Sequence, residues 1–339
     1  MRVSALLLLV IVVASGCTAA PSSLPVIPQP LKPIHRAAPS SSPSFTIVEY
    51  TVPTPNAGPL SIAAGPDGAL WFTEAFAPNI GRIDVNGNIT EYPVGGHGQN
   101  FLSVGPDKNI WFTQSGPDVI GRLTTGGALT EYPVPSPTFA LEKIARGPDR
   151  RMWFENIAQD NGTVYIDAIT LDGSIQQYGP VDQSCYFPFG MAAERDGNLW
   201  TVGGHCISKI TPTGQITSTD LGPSFGLTLV AHAKDGDPWA SDNGSNPPAI
   251  DQITLDGGIT KHVLPRANNL YGVTEVGTKI YFAEQGADRI GRIDESTLGV
   301  REFRVPTPNA EPSILARGPD GNIWFTEFNT NKIGVLVLR

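Results

Sequence analysis

Apolar and polar residues alternate along this chain in short runs, and the runs are cut by Gly, Pro, Asp and Asn. A period of two with that punctuation predicts short strands joined by tight turns. One phrase recurs seven times and sets the spacing. Its clear copies read GPDGALWFTE (65–74), GPDKNIWFTQ (105–114) and GPDGNIWFTE (318–327). Weaker copies read GPDRRMWFEN (147–156), ERDGNLWTVG (194–203) and AKDGDPWASD (233–242), and EVGTKIYFAE (275–284) puts Tyr281 in the Trp place. The anchors Trp71, Trp111, Trp153, Trp200, Trp239, Tyr281 and Trp324 lie 39 to 47 residues apart. That is the length of a four-stranded blade, so the pattern predicts an all-β fold, a seven-bladed β-propeller.

Each repeat parses into four strands, a to d. In the first, 61–64 is strand a, GPDG a turn, 70–74 strand b, 79–84 strand c, VNGN a turn and 89–94 strand d. The seventh repeat stops after 332–339 and lacks its fourth strand, while FTIVEYTVP (45–53) is a spare strand resembling ITEYPV. The spare strand is expected to complete the last blade and close the ring, which removes open sheet edges. The d–a and b–c loops then share one rim. They are the longer loops, and function on a rigid scaffold concentrates in such loops.

The 37 Gly and 31 Pro in 339 residues fit this reading, and repeats fill nearly everything after residue 44. The formal net charge of −9 and the lack of a basic stripe argue against nucleic acid as a partner. At the N-terminus Arg2 precedes an apolar run, Ala5 to Val13, too short to span a bilayer. Ala14-Ser15-Gly16-Cys17 resembles a bacterial lipobox; the competing reading is an ordinary signal peptide with a chance Cys. The expected layout is a lipoprotein signal peptide (1–16), a lipid-anchored Pro/Ser-rich tether starting at Cys17 (17–44) and the propeller (45–339). This places the domain outside the cytoplasm, anchored by lipid in a bacterial cell envelope. Cys185 and Cys206 flank the fourth repeat's a–b hairpin, their midpoint at Arg195-Asp196, so a disulfide is predicted in that oxidising compartment. A metal or nucleophile site using His205 and Cys206 is the rival, but it lacks a Cys/His cluster with ligand spacing.

The phrases GPDGxLWFTE, NxIGRI and ITEYPVP, with PTPNAGP (53–59) and PTPNAEP (306–312), resemble the virginiamycin B lyase (streptogramin lyase) family over residues 45–339. The resemblance implies a carbon–oxygen lyase that opens a cyclic depsipeptide at its ester by elimination, with Mg²⁺ held by carboxylates and a His as base. In NAEPSILARGPDGNIWFTE (309–327), Glu311 and Glu327 occupy the places the resemblance assigns to metal ligands. Ser313 stands where it implies the catalytic His, and Tyr271 where it implies a second active-site His. Among the five His, His35 lies in the tether, His232 near an a–b turn and His262 in a strand d. His97 and His205 sit in loops of the Glu311 rim, so the candidates for a catalytic role are His97, His205, Tyr271 and Ser313.

A structural reading stands beside the metal one. The residue three after each anchor is Glu74, Gln114, Asn156, Gly203, Asp242, Glu284 and Glu327, so acid there is also a habit of the repeat. Two main functions follow. One is a propeller that binds a small molecule, a cyclic peptide or another envelope protein on its loop-rich rim, its His places substituted. The other is a Mg-dependent lyase opening a streptogramin B-type lactone, or a lactone hydrolase. A purely structural envelope scaffold is the third.

Overall fold

The structure, a computed structural model, describes residues 45–135, 138–159, 162–182, 190–231 and 237–338. The signal peptide, Cys17, the tether with His35, Cys185 and His232 lie outside the described residues. Among the described residues twenty-eight strands form seven antiparallel sheets of four, each in the order a-b-c-d. One short 3₁₀ turn, Gln285–Ala287, interrupts the all-β pattern. In blade one the strands are Pro59–Ala64, Leu70–Glu74, Asn79–Ile83 and Ile89–Pro93. Strand b matches the expectation, strand a starts two residues earlier, and strands c and d each end one residue sooner.

The ring closes as expected. Thr46–Thr51 pairs antiparallel with Lys332–Val337, with Val48 opposite Val335, and supplies the fourth strand of blade seven. Strand a of blade seven, Pro312–Arg317, packs against strand a of blade one. Glu49 fixes the joint: it accepts hydrogen bonds from Thr307 N (3.0 Å), Thr307 Oγ1 (2.8 Å) and Lys332 Nζ (3.1 Å).

The recurring phrase is explained residue by residue. Successive side chains of a strand point to opposite faces, and both faces of strand b are covered by neighbouring blades. Trp71 packs with Leu102 and Phe112 of blade two, while Phe72 points the other way into the main core. Trp71 also stacks on Tyr92 of its own strand d at 5.1 Å, as Trp111 does on Tyr132 and Trp324 on Tyr50. The Gly of IGR is forced by Phe72: a Cβ on Gly81 would sit 2.0 Å from the ring.

The Thr of WFTE serves the inner strand. Among the described residues strand a carries a two-for-one bulge in six blades, with register jumps between Pro59 and Ile62, Gln99 and Leu102, Leu141 and Ile144, Leu227 and Val230, Leu270 and Val273, and Pro312 and Leu315. A bulge leaves a backbone amide without its ladder partner. Thr73 Oγ1 accepts that of Ser61 (3.0 Å), Thr113 that of Phe101 (3.1 Å) and Thr326 that of Ile314 (3.2 Å).

Candidate functional site

The bulges form a ring around the axis, because strand a is the innermost strand of every blade. Their leading residues are Leu60, Asn100, Glu142, Thr228, Tyr271 and Ser313. Ser313 is fully buried, accepts a hydrogen bond from Gln285 Nε2 (3.0 Å) and donates to the Glu311 carbonyl (3.3 Å). Asn100 donates to Ser115 Oγ and the Leu141 carbonyl, tying blade two to blade three.

Blade three departs from the rest. Its bulge is Glu142-Lys143, and opposite it Glu155 replaces the usual Thr. Glu155 is fully buried and accepts from Thr201 Oγ1 (3.0 Å). Its burial raises the carboxyl well above the usual range, against the hydrogen bond from Thr201. Lys143 and Glu142 are half-buried, and their side chains have no hydrogen-bond partner among the described residues. The Lys143 ammonium lies 4.1 Å from the centre of the Phe101 ring, a cation–π contact. Burial pushes Lys143 down to about 8, opposed by the charges of Glu155 and Glu142. Burial pushes Glu142 up to about 7, opposed by Lys143. Tyr271, in blade six, has its phenol raised by burial and then by the charge of Glu142. Blades three and six are as far apart as a ring of seven permits.

The acidic pair Glu311 and Glu327 sits on the d–a/b–c rim. Strand a of blade seven starts at Pro312, whose register partner is Glu327 at the end of strand b. Glu311 is exposed, held at φ 49° with its amide donating to Asp288 Oδ1 (3.3 Å). Glu327 is fully buried; its Oε2 accepts from Thr330 (2.8 Å) and its Oε1 has no partner. Burial raises it to about 7, and Glu49 adds to the shift. Glu74 and Glu284 occupy equivalent places, are equally buried, carry an unpartnered oxygen and are raised to about 7 for the same first reason. The residue of strand d faces each: Glu91, Glu302 and Glu49. Among the described residues no third carboxylate or His joins Glu311 and Glu327 as a compact ligand set. The donor set therefore does not fit a resident cation better at Glu327 than at Glu74 or Glu284.

The remaining candidates scatter. His97 is exposed in the d–a loop before strand a of blade two. His205 is in the b–c turn of blade four, with Nδ1 2.7 Å from Asp220 Oδ1. His205, Cys206 and Asp220 form the one group of three possible metal ligands within 4.8 Å among the described residues. Cys206 is buried, and its predicted partner Cys185 lies outside the described residues. His262 is buried beneath Trp239, ring centres 5.0 Å apart. Sequence reasoning missed Glu142, Lys143 and Glu155. The available signal was GPDRRMWFEN, where Glu155 breaks the Thr of the phrase.

The fold and its inner ring define a seven-bladed β-propeller. The sequence profile of the virginiamycin B lyase family matches residues 41–200 and 97–338, and the chain belongs to that family. A virginiamycin B lyase of Nocardia farcinica is 28% identical over 141 residues, 40% of this chain and 48% of that protein. One of Streptomyces coelicolor is 45% identical over 51 residues, 15% of this chain and 17% of that protein. The chain thus spans about half or less of the length of these relatives. A streptogramin B lyase structure aligns with TM-score 0.76 and 31% identity over 87% of this chain and 98% of the other. A catalytically inactive His-to-Ala variant of the Staphylococcus aureus virginiamycin B lyase, solved with Quinupristin, aligns with TM-score 0.78 and 29% identity, covering 87% of this chain and all (100%) of that one.

Proposed function

We propose that this chain is an exported, lipid-anchored member of the family that binds a ligand on its loop-rich rim, over the inner ring, without the family's His-dependent elimination. The observation that carries the reading is Ser313. It occupies a place where the resemblance implies an imidazole, and it is buried with its hydroxyl committed to Gln285 and a carbonyl. A Ser hydroxyl needs an activating base to do such work. The described His residues, His97, His205 and His262, all lie off the inner strands. The inactive Staphylococcus aureus variant with Quinupristin supports binding without that chemistry in a related protein. Ligands of the proposed kind are a small molecule, a cyclic peptide or another envelope protein. Cys17 supplies the anchor to the bacterial envelope, and a Cys185–Cys206 disulfide staples two rim loops of blade four.

A second reading keeps lyase or lactone-hydrolase activity, with Mg²⁺ held by Glu311 and Glu327. It is favoured by the register that places Pro312, next to Glu311, against Glu327. Calorimetry with quinupristin, followed by mass spectrometry of the same mixture with Mg²⁺, separates the two. Binding with an intact lactone is expected. A ring-opened product that disappears in Glu311→Gln would establish the second reading, and no binding would remove the first for this ligand class.

A further inference from the structure

Blades one and seven hold the same four-part arrangement, with one residue exchanged. In blade seven the Glu49 carboxylate, on strand d, accepts from the backbone amide and the hydroxyl of Thr307 in the PTPNAEP junction. In blade one Glu91, also on strand d, accepts from the amide (2.8 Å) and the hydroxyl (2.9 Å) of Thr54 in the PTPNAGP junction. Each blade adds a fully buried Glu at the end of strand b, Glu327 or Glu74. The fourth member differs. Glu327 is opposite Lys332 in register, and the Lys332 ammonium reaches Glu49 Oε2 (3.1 Å) and Thr307 Oγ1 (2.5 Å). In blade one that place, one step beyond the Thr73–Ile80 pair, belongs to Asn79.

A cation therefore serves the two carboxyls of blade seven. Blade six does the same: Glu284 is opposite Arg289, whose Nη1 lies 2.9 Å from Glu302 Oε2. Blade two has a neutral pair, Gln114 opposite Val119. In blade one Asn79 Nδ2 donates to Glu74 Oε2 (3.1 Å) and to Thr54 Oγ1 (3.3 Å), and Thr54 donates to Glu91. This chain of hydrogen bonds draws the four residues together, but an amide brings no positive charge. Glu74 Oε1 is buried at the same spot without a hydrogen-bond partner. Among the described residues neither Glu74 nor Glu91 has an ion pair with Lys or Arg. Buried charges are paired or coordinate metals.

We propose that blade one binds a hard divalent cation, calcium, at the place the Lys332 ammonium takes in blade seven. The carboxylates of Glu74 and Glu91 hold it with Thr54 Oγ1 and the Asn79 amide, turned to present its oxygen. The donors are all oxygens, which suits calcium or magnesium and not the metals that prefer nitrogen or sulfur. Magnesium usually keeps several of its waters, whereas calcium accepts irregular oxygen sets. A fully buried Glu74 leaves little room for a water shell, so calcium fits better. The Thr54 carbonyl also accepts from Asn331 Nδ2 (2.9 Å), just before strand c of blade seven. The cation thus ties blade one to the joint that closes the ring. This site uses none of the residues of the Glu311 and Glu327 pair, and it does not depend on the rim's being a ligand face.

The test is thermal melting and calorimetry of the full chain, stripped with a chelator and titrated with calcium chloride. A pH of about 8 keeps the carboxylates free of competing protons, since burial, with the Glu91 charge adding to it, raises Glu74 to about 7. The melting temperature should rise with calcium concentration, as it does for a ligand held by the folded state alone. Glu74→Gln gives blade one the residue of blade two and should lose the shift. Asn79→Lys supplies the ammonium of blade seven. It should also lose the shift, while melting without calcium no lower than the stripped parent. Glu311→Gln should keep the shift. Circular dichroism guards against misfolding, and Asn79→Lys decides the matter should Glu74→Gln not fold. No calcium shift in the parent, or a shift that survives both blade-one variants, would overturn the proposal. A shift lost only in Glu311→Gln would place the calcium in blade seven and overturn it as well.

Discussion

Trp111 donates its indole N–H to the Asp107 carboxylate four residues before it, at 2.9 Å. The same bond joins Trp71 to Asp67, Trp153 to Asp149 and Trp324 to Asp320 at 3.0 to 3.1 Å. The Asp of the GPDG turn is therefore the acceptor for the indole of the blade's largest, buried side chain as well as a turn residue. A buried donor stripped of its acceptor costs about 1–3 kcal/mol. Asp107→Ala should lose stability of that order in urea denaturation, with Trp111 otherwise in place.

The same carboxylates set an acid limb. Burial alone would raise Asp107, but hydrogen bonds from Trp111 and Asn109 outweigh it and hold the group below its usual value. A depressed carboxyl contributes stability that is present above its unfolded value and lost as pH falls through the folded one. Urea midpoints should drop on acidification in the parent, and less steeply in Asp107→Ala.

Glu284 works in the opposite sense. It is fully buried, both oxygens lack partners, and burial followed by the Glu302 charge raises it from 4.5 to about 7. Its contribution is complete below about 4.5 and lost as pH rises through about 7. Blade two already carries the neutral isostere, Gln114, at the equivalent place. Glu284→Gln should stabilise the protein above neutrality by on the order of 1–3 kcal/mol, with little effect at pH near 4.5. A thermal melt series across that window checks it; a gain that is uniform in pH would contradict the assignment.

Gly81 leaves room for the Phe72 ring, and an added Cβ would meet it at 2.0 Å. The ring is fully buried and cannot retreat. Overpacking of this kind costs about 1–3 kcal/mol, so Gly81→Ala should lower the melting temperature, and Gly121→Ala should do the same in blade two.

Removing residues 1–53 takes away the outer strand of blade seven and its Glu49 joint. The unpaired Lys332–Val337 edge then becomes a template for another chain. Size-exclusion chromatography should show association or loss of fold where the parent elutes as one species.

The architecture was legible because the side chains of the repeated phrase meet the same partners in several blades. Trp needs a flat neighbour, Phe needs a Gly across from it, and the spare strand at Ile47 needs a missing one. The place of Glu327 was legible too, since Glu74 and Glu284 repeat it. What stayed hidden was the inner ring. A bulge takes two residues for one and breaks alternation, so Glu142 and Lys143 read in sequence as a solvated stretch of strand. The partner of the phrase's Thr is a backbone amide on another strand, which no side-chain pattern announces. Only with that partner known does Glu155 stand out as an exception.

The pairing of Val48 with Val335 joins segments at opposite ends of the propeller. During synthesis the leading strand must wait for the trailing one, and contacts this distant in sequence are slow to form. The ring thus has a built-in checkpoint: nothing short of the full set of sectors can satisfy its first strand, so partial products stay open to chaperones and proteases until the last segment arrives.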